Sequence, residues 1–297
     1  MKLRFGIIGM SPGNGHPYSW SAIFNGYDSD AMSTCPFPTI PIYLANQSFP
    51  DDGIGEASVT HIWTEERIVS ENIAAATYIP HVVDNLGDMI GAVDGILLAR
   101  DDAERHLEFA APFLDASLPV YIDKPLALSV EEAKRLYARE RRRGQIFTCS
   151  ALAFAREFQP TTTEMLRIGR LRFVEAVTPK DWDRYAIHVL EPLSNLLVND
   201  GPIVRLSAGG TRSRHLDATW ESGVEARVTA LGDAQGPIAL RLYGDAGWQE
   251  LVFKDSFAAF RAALRRFTDI VLGRVLPQDP RPVLNLVRLI QAGRTIT

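Results

Sequence analysis

The first 150 residues alternate between short apolar runs and helix-prone segments. The runs that predict β-strands are residues 3–9, 59–63, 82–83, 93–99, 118–122 and 145–150. Helices are predicted at 65–76, after the caps Asp101 and Asp102 up to residue 116, and from the capping box Ser129-Val-Glu-Glu132 to Gly144. Because a parallel crossover needs a helix to cover the sheet, this alternation predicts an α/β fold that begins with a Rossmann-like, doubly wound parallel sheet over 1–150.

The second half shows a different pattern. Residues 173–177, 203–208, 224–231, 238–243 and 248–253 alternate apolar and polar positions, which predicts a mainly antiparallel sheet. Helical spacing from Phe257 to Val271, a stop at Gly273 and a new start at Pro282 predict two closing helices. We therefore expect a C-terminal α+β domain over 151–297. One sheet face lacks helices to cover it, which predicts a homodimer or homotetramer formed through that face.

Residues 25–57 fit neither pattern. This segment contains four prolines, at positions 36, 38, 41 and 50, and little periodicity. A long insertion in a compact domain is often a functional lid, and otherwise a mobile loop. Both interpretations stay open.

Composition and charge exclude several classes of protein. The chain has 297 residues with 46% hydrophobic and 23% charged side chains, as soluble globular proteins do. A formal net charge of -5 argues against a nucleic-acid partner. The sequence lacks an apolar stretch of about 18 residues, so a membrane span is not expected. Cys35 and Cys149 fit no metal or redox spacing, so reduced thiols and a cytoplasmic location are expected.

A glycine-rich turn follows the first predicted strand. Gly9, Gly13 and Gly15 precede Pro17, which suits a first helical turn. Bare backbone amides at a helix N-terminus can bind a pyrophosphate, although the spacing departs from G-x-G-x-x-G and an ordinary tight turn is the alternative. The residues expected at such a phosphate site are Gly9, Met10, Ser11, Gly13 and Gly15.

The chain then carries Tyr121-Ile-Asp-Lys-Pro at the end of the fifth predicted strand, at the edge where parallel sheets bind ligands. Together with Asp94-Gly-Ile-Leu-Leu-Ala and a helix bearing His106, this segment resembles the Gfo/Idh/MocA family of oxidoreductases. The resemblance covers nearly the whole chain and implies NAD or NADP as cofactor and a small-molecule substrate. By the same resemblance, Asp123 helps to hold the nicotinamide ribose and Lys124 contacts the substrate.

Residues 185–191 are similar to the family's second catalytic segment, in which a histidine begins a helix facing the nicotinamide. His188 takes that place, and Glu191, one turn later, is expected to orient its imidazole. Many members have an aspartate four residues before the histidine, where this chain has Arg184. Substitutes for that aspartate are Asp181, Asp183 and Tyr185. A metal site built on His188, Glu191 and Asp181 lacks an identifiable further ligand, so no metal is expected.

Further candidates are less specific. Glu65 follows the second strand, where it either accepts a ribose hydroxyl of NAD or complements a helix N-terminus. After the fourth strand, this chain has Arg100 where members of the family that it resembles commonly have a small residue or proline, so Arg100 is expected to meet the cofactor or an anionic substrate. His16, Arg156 and Trp182 are candidates for substrate contact, each with an ordinary structural alternative.

These observations predict an NAD(P)-dependent oxidoreductase acting on a sugar, polyol or similar hydroxy compound. Lys124 and His188 are its expected catalytic residues, and they should converge beside the nicotinamide. Two alternatives remain from the sequence. One is a cofactor-binding regulator without turnover, and the other is a metal-dependent sugar isomerase or lyase.

Overall fold

The computed structural model describes residues 2–295, and the chain divides into two compact units. Unit 1 is formed by the described parts of Met1–Leu126, Lys134–Thr148 and Phe260–Pro280. Unit 2 is formed by those of Ala127–Ala133, Cys149–Ala259 and Arg281–Thr297. The change of unit after Thr148 lies next to the boundary expected near residue 150, whereas Phe260–Pro280 departs from the expected single C-terminal domain by packing in unit 1.

Unit 1 contains a sheet of six parallel strands, which confirms the predicted Rossmann-like fold. The strands are β1 (Leu3–Ile8), β2 (Ala57–Trp63), β3 (His81–Val82), β4 (Gly95–Leu98), β5 (Val120–Ile122) and β6 (Ile146–Phe147). Their order is β3-β2-β1-β4-β5-β6, so the direction of winding reverses between β1 and β4. In open parallel sheets, the crevice beyond the carboxyl ends of the strands at this switch point is where ligands bind.

The helices around this sheet follow the predicted order with shifted ends. They are α1 (His16–Asn25), α2 (Ser29–Met32), α3 (Thr39–Leu44), α4 (Arg67–Thr77), α5 (His106–Asp115) and α6 (Val130–Tyr137). The capping box of Ser129 and Glu132 forms as expected. However, α6 ends at Tyr137, and Gly144 follows in a separate turn with φ of 85°.

Asp102 stands at an N-cap position as expected, but the side chains of Asp101 and Asp102 form no capping hydrogen bond. A short 3-10 helix, Ala103–Arg105, precedes α5, and the carboxylate of Asp102 accepts no hydrogen bond from its backbone. Instead, Asp102 accepts two hydrogen bonds from the guanidinium of Arg100, and Asp101 accepts one from Ser11. Because the two carboxylates accept hydrogen bonds from Arg100 and Ser11, neither carboxylate caps a helix.

The insertion at 25–57 is folded in unit 1. It contains α2 and α3, and it buries Met32, Leu44 and Ile54 completely. Tyr43 donates a hydrogen bond to Ser19 of α1 at 2.5 Å. Apolar side chains at irregular spacing therefore anchor a segment that shows no regular period in the sequence.

An aromatic cluster explains why Phe260–Pro280 belongs to unit 1. The ring of Phe267 lies 5.4 Å from that of Phe5, 5.7 Å from Tyr121 and 5.9 Å from Phe147. These rings come from α10 (Ser256–Val271), β1, β5 and the end of β6. Burying several aromatic side chains together is a large favourable contribution to folding, so this part of α10 packs with the parallel sheet.

Unit 2 contains a mainly antiparallel sheet of six strands, as predicted, with one parallel pair between β7 and β10. The strands are β7 (Leu171–Thr178), β8 (Ile203–Gly209), β9 (Arg214–Trp220), β10 (Glu225–Ala230), β11 (Ala239–Gly244) and β12 (Trp248–Val252). The remaining helices are α7 (Thr162–Ile168), α8 (Trp182–Tyr185), α9 (Ile187–Leu196) and α11 (Pro280–Arg294). Within residues 2–295, no helix has the length and hydropathy needed to cross a membrane.

Candidate functional site

The turn after β1 has the shape expected of a phosphate-binding turn. Gly13 has φ of 83°, in the left-handed region, and a Cβ atom there would meet no other atom within 4 Å. A Cβ at Gly9 would collide with the ring of Pro17, so glycine is required where α1 approaches the end of β1. No hydrogen bond within residues 2–295 uses the backbone N–H of Gly13 or Gly15. Gly13 is exposed whereas Gly15 is buried, so the amide of Gly13 is the one open to an anionic diphosphate at the switch point.

Ser11 and Asn14 occupy the second and third glycine positions of the G-x-G-x-x-G pattern that starts at Gly9. Both side chains are buried and reach neighbouring strand ends. Ser11 donates to Asp101 after β4 at 2.6 Å, and Asn14 donates to Asp123 after β5 at 2.9 Å. The departure from the glycine pattern thus introduces two side chains that connect the turn to the neighbouring strands.

Lys124 is held at the carboxyl edge of the sheet with 5% of its surface exposed. Its ammonium lies 3.4 Å from Asp101 Oδ2, and the other carboxylate oxygen of Asp101 accepts the hydrogen bond from Ser11. A buried ammonium needs such a partner, because an isolated charge is costly in an apolar environment. The pairing holds the side chain of Lys124 in place beside the switch point.

Asp123 is buried and accepts three hydrogen bonds. Its Oδ2 receives Asn14 at 2.9 Å and lies 2.6 Å from His16 Nδ1, while Oδ1 receives the backbone N–H of Lys124 at 2.8 Å. Burial by itself would raise the pKa of Asp123, but the charge of His16, its hydrogen bond and the charge of Lys124 lower that pKa to about 2. Asp123 is therefore a carboxylate with most of its lone pairs already in use.

Glu65, after β2, is tied to two arginines. Arg100 donates to one of its oxygens at 3.0 Å and Arg105 to the other at 2.6 Å, and these hydrogen bonds, with Arg105 the stronger influence, lower the pKa of Glu65. Arg100 is 1% exposed, forms its double hydrogen bond with Asp102, and stacks on Phe109. Arg100, which the sequence predicts to meet the cofactor or an anionic substrate, thus pairs with two carboxylates, those of Asp102 and Glu65.

In unit 2, His188 is the second residue of α9, close to the helix start that the sequence predicts. Its Nδ1 lies 2.8 Å from Ser150 Oγ, and the backbone N–H of Ser150 donates to Glu191 at 2.6 Å. Burial raises the pKa of Glu191 from 4.5 to about 8, although the Ser150 N–H partly opposes this shift. At neutral pH Glu191 is therefore protonated, and Ser150 is the residue that orients the imidazole.

The remaining candidates in unit 2 separate into two groups. The ring of Tyr185 lies 5.2 Å from that of His188, so these two residues come together. Asp181 caps α8 by accepting from the backbone of Arg184, and the 2% exposed Trp182 donates to the carbonyl of Ile290. Arg156 donates to the carbonyl of Gln159 in its own turn. Asp181, Trp182 and Arg156 thus each have a structural contact, and their expected contact with substrate stays a prediction.

Sequence reasoning missed Asn14, Asp101 and Ser150 as site residues. Asn14 and Asp101 could have been found from the polar residues Ser11 and Asn14 at two glycine positions of the pattern. A buried polar side chain at such a position needs a hydrogen-bond partner at a neighbouring strand end. Ser150 had no comparable signal. Among residues 2–295, no group of three or more His, Cys, Asp or Glu side chains is arranged to hold a metal ion.

A comparison with models of known protein families agrees with the Rossmann-like sheet of unit 1. Residues 3–150 match the model of the Gfo/Idh/MocA oxidoreductase family, which is described as having an NAD-binding Rossmann fold. A search of functionally curated proteins found no significant match.

Solved structures with similar folds include three enzymes. Biliverdin reductase from Synechocystis sp. PCC 6803, solved with biliverdin and NADP+, has a TM-score of 0.72 at 15% identity, with 98% of each chain covered. UDP-N-acetylglucosamine 3-dehydrogenase from Acidithiobacillus ferrooxidans has a TM-score of 0.72 at 12% identity, covering 100% of this chain and 98% of that one. Scyllo-inositol dehydrogenase from Lactobacillus casei has a TM-score of 0.72 at 11% identity, with coverage of 98% and 94%. At these identities the similarity establishes the fold.

Proposed function

Because the chain belongs to the Gfo/Idh/MocA family of NAD-binding oxidoreductases, we propose that it transfers a hydride between nicotinamide and a sugar, polyol or similar hydroxy compound. The observation that carries the proposal is the buried pair of Lys124 and Asp101 beside the switch point of the Rossmann sheet. Among the enzymes of similar fold, two are dehydrogenases of a nucleotide sugar and an inositol. Biliverdin reductase shows that the fold also serves other substrates.

The cofactor supplies one half of the chemistry, since nicotinamide accepts or donates the hydride. We assign the turn from Gly9 to Gly15 to the diphosphate, because the exposed amide of Gly13 suits an anion. Met10 lies in the same turn, and Asp123 is assigned to the nicotinamide ribose, with the lone pair of Oδ1 that remains after the hydrogen bond from Lys124. These assignments use only groups that lie at the carboxyl edge of the sheet.

Lys124 acts on the substrate oxygen in this proposal. When the hydroxyl loses its proton, negative charge develops on that oxygen, and a fixed ammonium stabilises the charge by about 3 kcal/mol in a site without water. His188 is assigned to the same reaction as an acid–base group, with Ser150 holding its Nδ1. Tyr185, beside His188, is the further residue of unit 2 that we assign to substrate contact.

The test is cofactor binding followed by turnover. We expect NAD+ or NADP+ to bind without added metal in a calorimetric titration, and a panel of polyols and nucleotide sugars to include a compound that reduces the bound cofactor. Binding without turnover of any compound would favour the cofactor-binding regulator. Turnover that requires a divalent metal and leaves the nicotinamide unchanged would favour the isomerase or lyase.

Glu65 determines the choice between NAD and NADP in this proposal. Its carboxylate, which accepts hydrogen bonds from Arg100 and Arg105, is assigned to accept a ribose hydroxyl and to repel a 2′-phosphate. We expect Glu65→Gln to weaken NAD+ binding about tenfold, as the loss of one charged hydrogen bond of about 1.4 kcal/mol does, and to improve NADP+ binding. The measurement is titration with both cofactors. Glu66→Gln, also exposed, is the control, and an unchanged ratio of affinities in Glu65→Gln would contradict the assignment.

We further propose that the open face of the unit 2 sheet binds a second copy of this chain. A row of side chains with alternating charge crosses this face, formed by Glu250, Arg241, Glu175, Arg227 and Asp217. An aromatic row lies beside it, in which Trp248 and Phe173 flank Tyr243 in register. A twofold-related copy can place aromatic groups on aromatic groups and arginines of one row against carboxylates of the other.

We expect light scattering to give a mass of at least two chains of 32.9 kDa at micromolar concentration. Trp248, which is 68% exposed, lies in the aromatic row, so Trp248→Glu should shift the mass toward a single chain. Leu276→Glu changes an 82% exposed residue of unit 1 and should leave the mass unchanged. A wild-type particle of one chain would rule out this interface.

A further inference from the structure

His16 is fixed on three sides. Its Nδ1 lies 2.6 Å from Asp123 Oδ2, its ring stacks on Trp20 at 5.0 Å with an interplanar angle of 14°, and the edge contact with Phe260 spans 4.9 Å. Trp20 in turn stacks on Tyr121 of the aromatic core. Because each of these rings is held by the next, the imidazole has one well-defined orientation.

The other nitrogen of this ring is open. Within residues 2–295, Nε2 of His16 takes part in no hydrogen bond, and it is not one of the buried polar atoms that lack a partner. It therefore reaches solvent, and 17% of the side chain is exposed. His106 in the same unit contrasts with it, since that ring is fully buried and both of its nitrogens lie within hydrogen-bond distance of backbone carbonyl oxygens.

Asp123 sets the chemical state of the open nitrogen. As an ionised carboxylate, it accepts the Nδ1 proton of His16, which leaves the lone pair of a neutral imidazole on Nε2. When Nε2 gains a proton, the resulting imidazolium stays paired with the carboxylate. The same arrangement of carboxylate and histidine supports general-base catalysis in other enzymes.

The location of this pair is that of the proposed reaction. His16 follows the turn after β1 and Asp123 ends β5, so their hydrogen bond passes beyond the end of β4 at the switch point of the sheet. Lys124 adjoins Asp123 and is held by Asp101 as an ammonium. An ion-paired ammonium is a poor base, which leaves the movement of the proton to a different group.

We propose that His16 is an acid–base residue of this site, which exchanges the proton of the substrate hydroxyl through Nε2 while Asp123 holds Nδ1, and that the imidazole of His188 hydrogen-bonds the reacting oxygen instead of taking this proton. The inference rests on the proposed hydride transfer. In oxidation, the hydroxyl proton passes to Nε2, the O–H electron pair forms the carbonyl bond, and the C–H bond leaves with its electron pair as hydride to nicotinamide. Reduction reverses each step. Lys124 stabilises the oxygen throughout, and the imidazolium of His16 returns its proton to water.

The first test needs no substrate. Diethyl pyrocarbonate modifies accessible, unprotonated imidazole nitrogens, and peptide mass analysis locates the modified histidines. We expect His16 to react at least about tenfold faster than His106, and NAD+ to slow the reaction at His16. Equal reactivity of His16 and His106, or no effect of NAD+, would overturn the inference.

The second test uses a substrate that the panel identifies. We expect His16→Gln, which keeps a hydrogen-bond donor toward Asp123, to lower kcat about 100-fold with NAD+ affinity within about twofold of wild type. Added imidazole should restore part of the activity of His16→Ala. His81→Ala, an exposed histidine on β3, is the matched control. Retained NAD+ binding shows that each variant is folded.

The two proposals fail differently. If wild type turns over and Lys124→Ala does not, but both His16 variants keep near-normal kcat, the role of His16 is refuted while the oxidoreductase function stands. If wild type turns over no compound, the proposed function fails. The modification experiment still decides whether the imidazole of His16 is accessible in the free protein and protected when NAD+ binds.

Discussion

Lys124→Ala should lower turnover by about 100-fold while NAD+ affinity stays nearly unchanged. The ammonium is buried, and its observed charged partner Asp101 fixes it beside the switch point. A charge held in place before the reaction stabilises the oxygen anion that develops in the transition state more than the neutral hydroxyl of the ground state. Its loss should therefore appear in kcat and in kcat/KM to a similar extent.

The measurement is steady-state turnover with the substrate found in the panel, together with an NAD+ titration of the same protein. Removing a buried cation leaves Asp101 with less compensation, which costs stability, so the titration also verifies that the variant is folded. Lys134→Ala replaces an exposed lysine on α6 and should behave as wild type. Near-normal turnover in Lys124→Ala would refute the assigned role.

His188→Ala should be similarly damaging. Ser150 holds Nδ1 of the ring, and Glu191, protonated at neutral pH, anchors the backbone of Ser150, so the imidazole is positioned by two buried groups. A positioned acid–base group contributes about 100-fold or more. The pH profile of kcat/KM should lose one ionisation in this variant, which a purely structural role would not explain.

The double variant Lys124→Ala/His188→Ala tests whether the two residues serve one reaction. If they act as a unit, it should be little slower than either single variant, because each loss already disables the same step. Independent effects that multiply would contradict a shared step. His188→Gln, which keeps a polar side chain of similar reach, separates loss of the imidazole from loss of packing.

The strands of the parallel sheet were predictable from the local pattern of apolar and polar residues. β1, β4 and β5 are buried runs of apolar residues, and their period and flanking helices indicate a parallel sheet without any tertiary information. Lys124 was identifiable because it directly follows such a strand, at the edge where ligands bind. In contrast, β9 was not among the predicted strands, although Leu216, Ala218 and Trp220 alternate with polar residues along it. Its pairing with β8 and β10 establishes the strand.

The amino-acid sequence alone therefore determined the fold class, the order of the strands along the chain and the two segments that carry Lys124 and His188. These properties depend on periodicity and on residues a few positions apart. Only the tertiary structure decided which groups hold one another, because Ser11 and Asp101 are 90 positions apart and His16 and Asp123 are 107 apart. Hydrogen bonds of about 3 Å between such residues exist only once the strand order has brought the ends of β1, β4 and β5 together at one edge of the sheet.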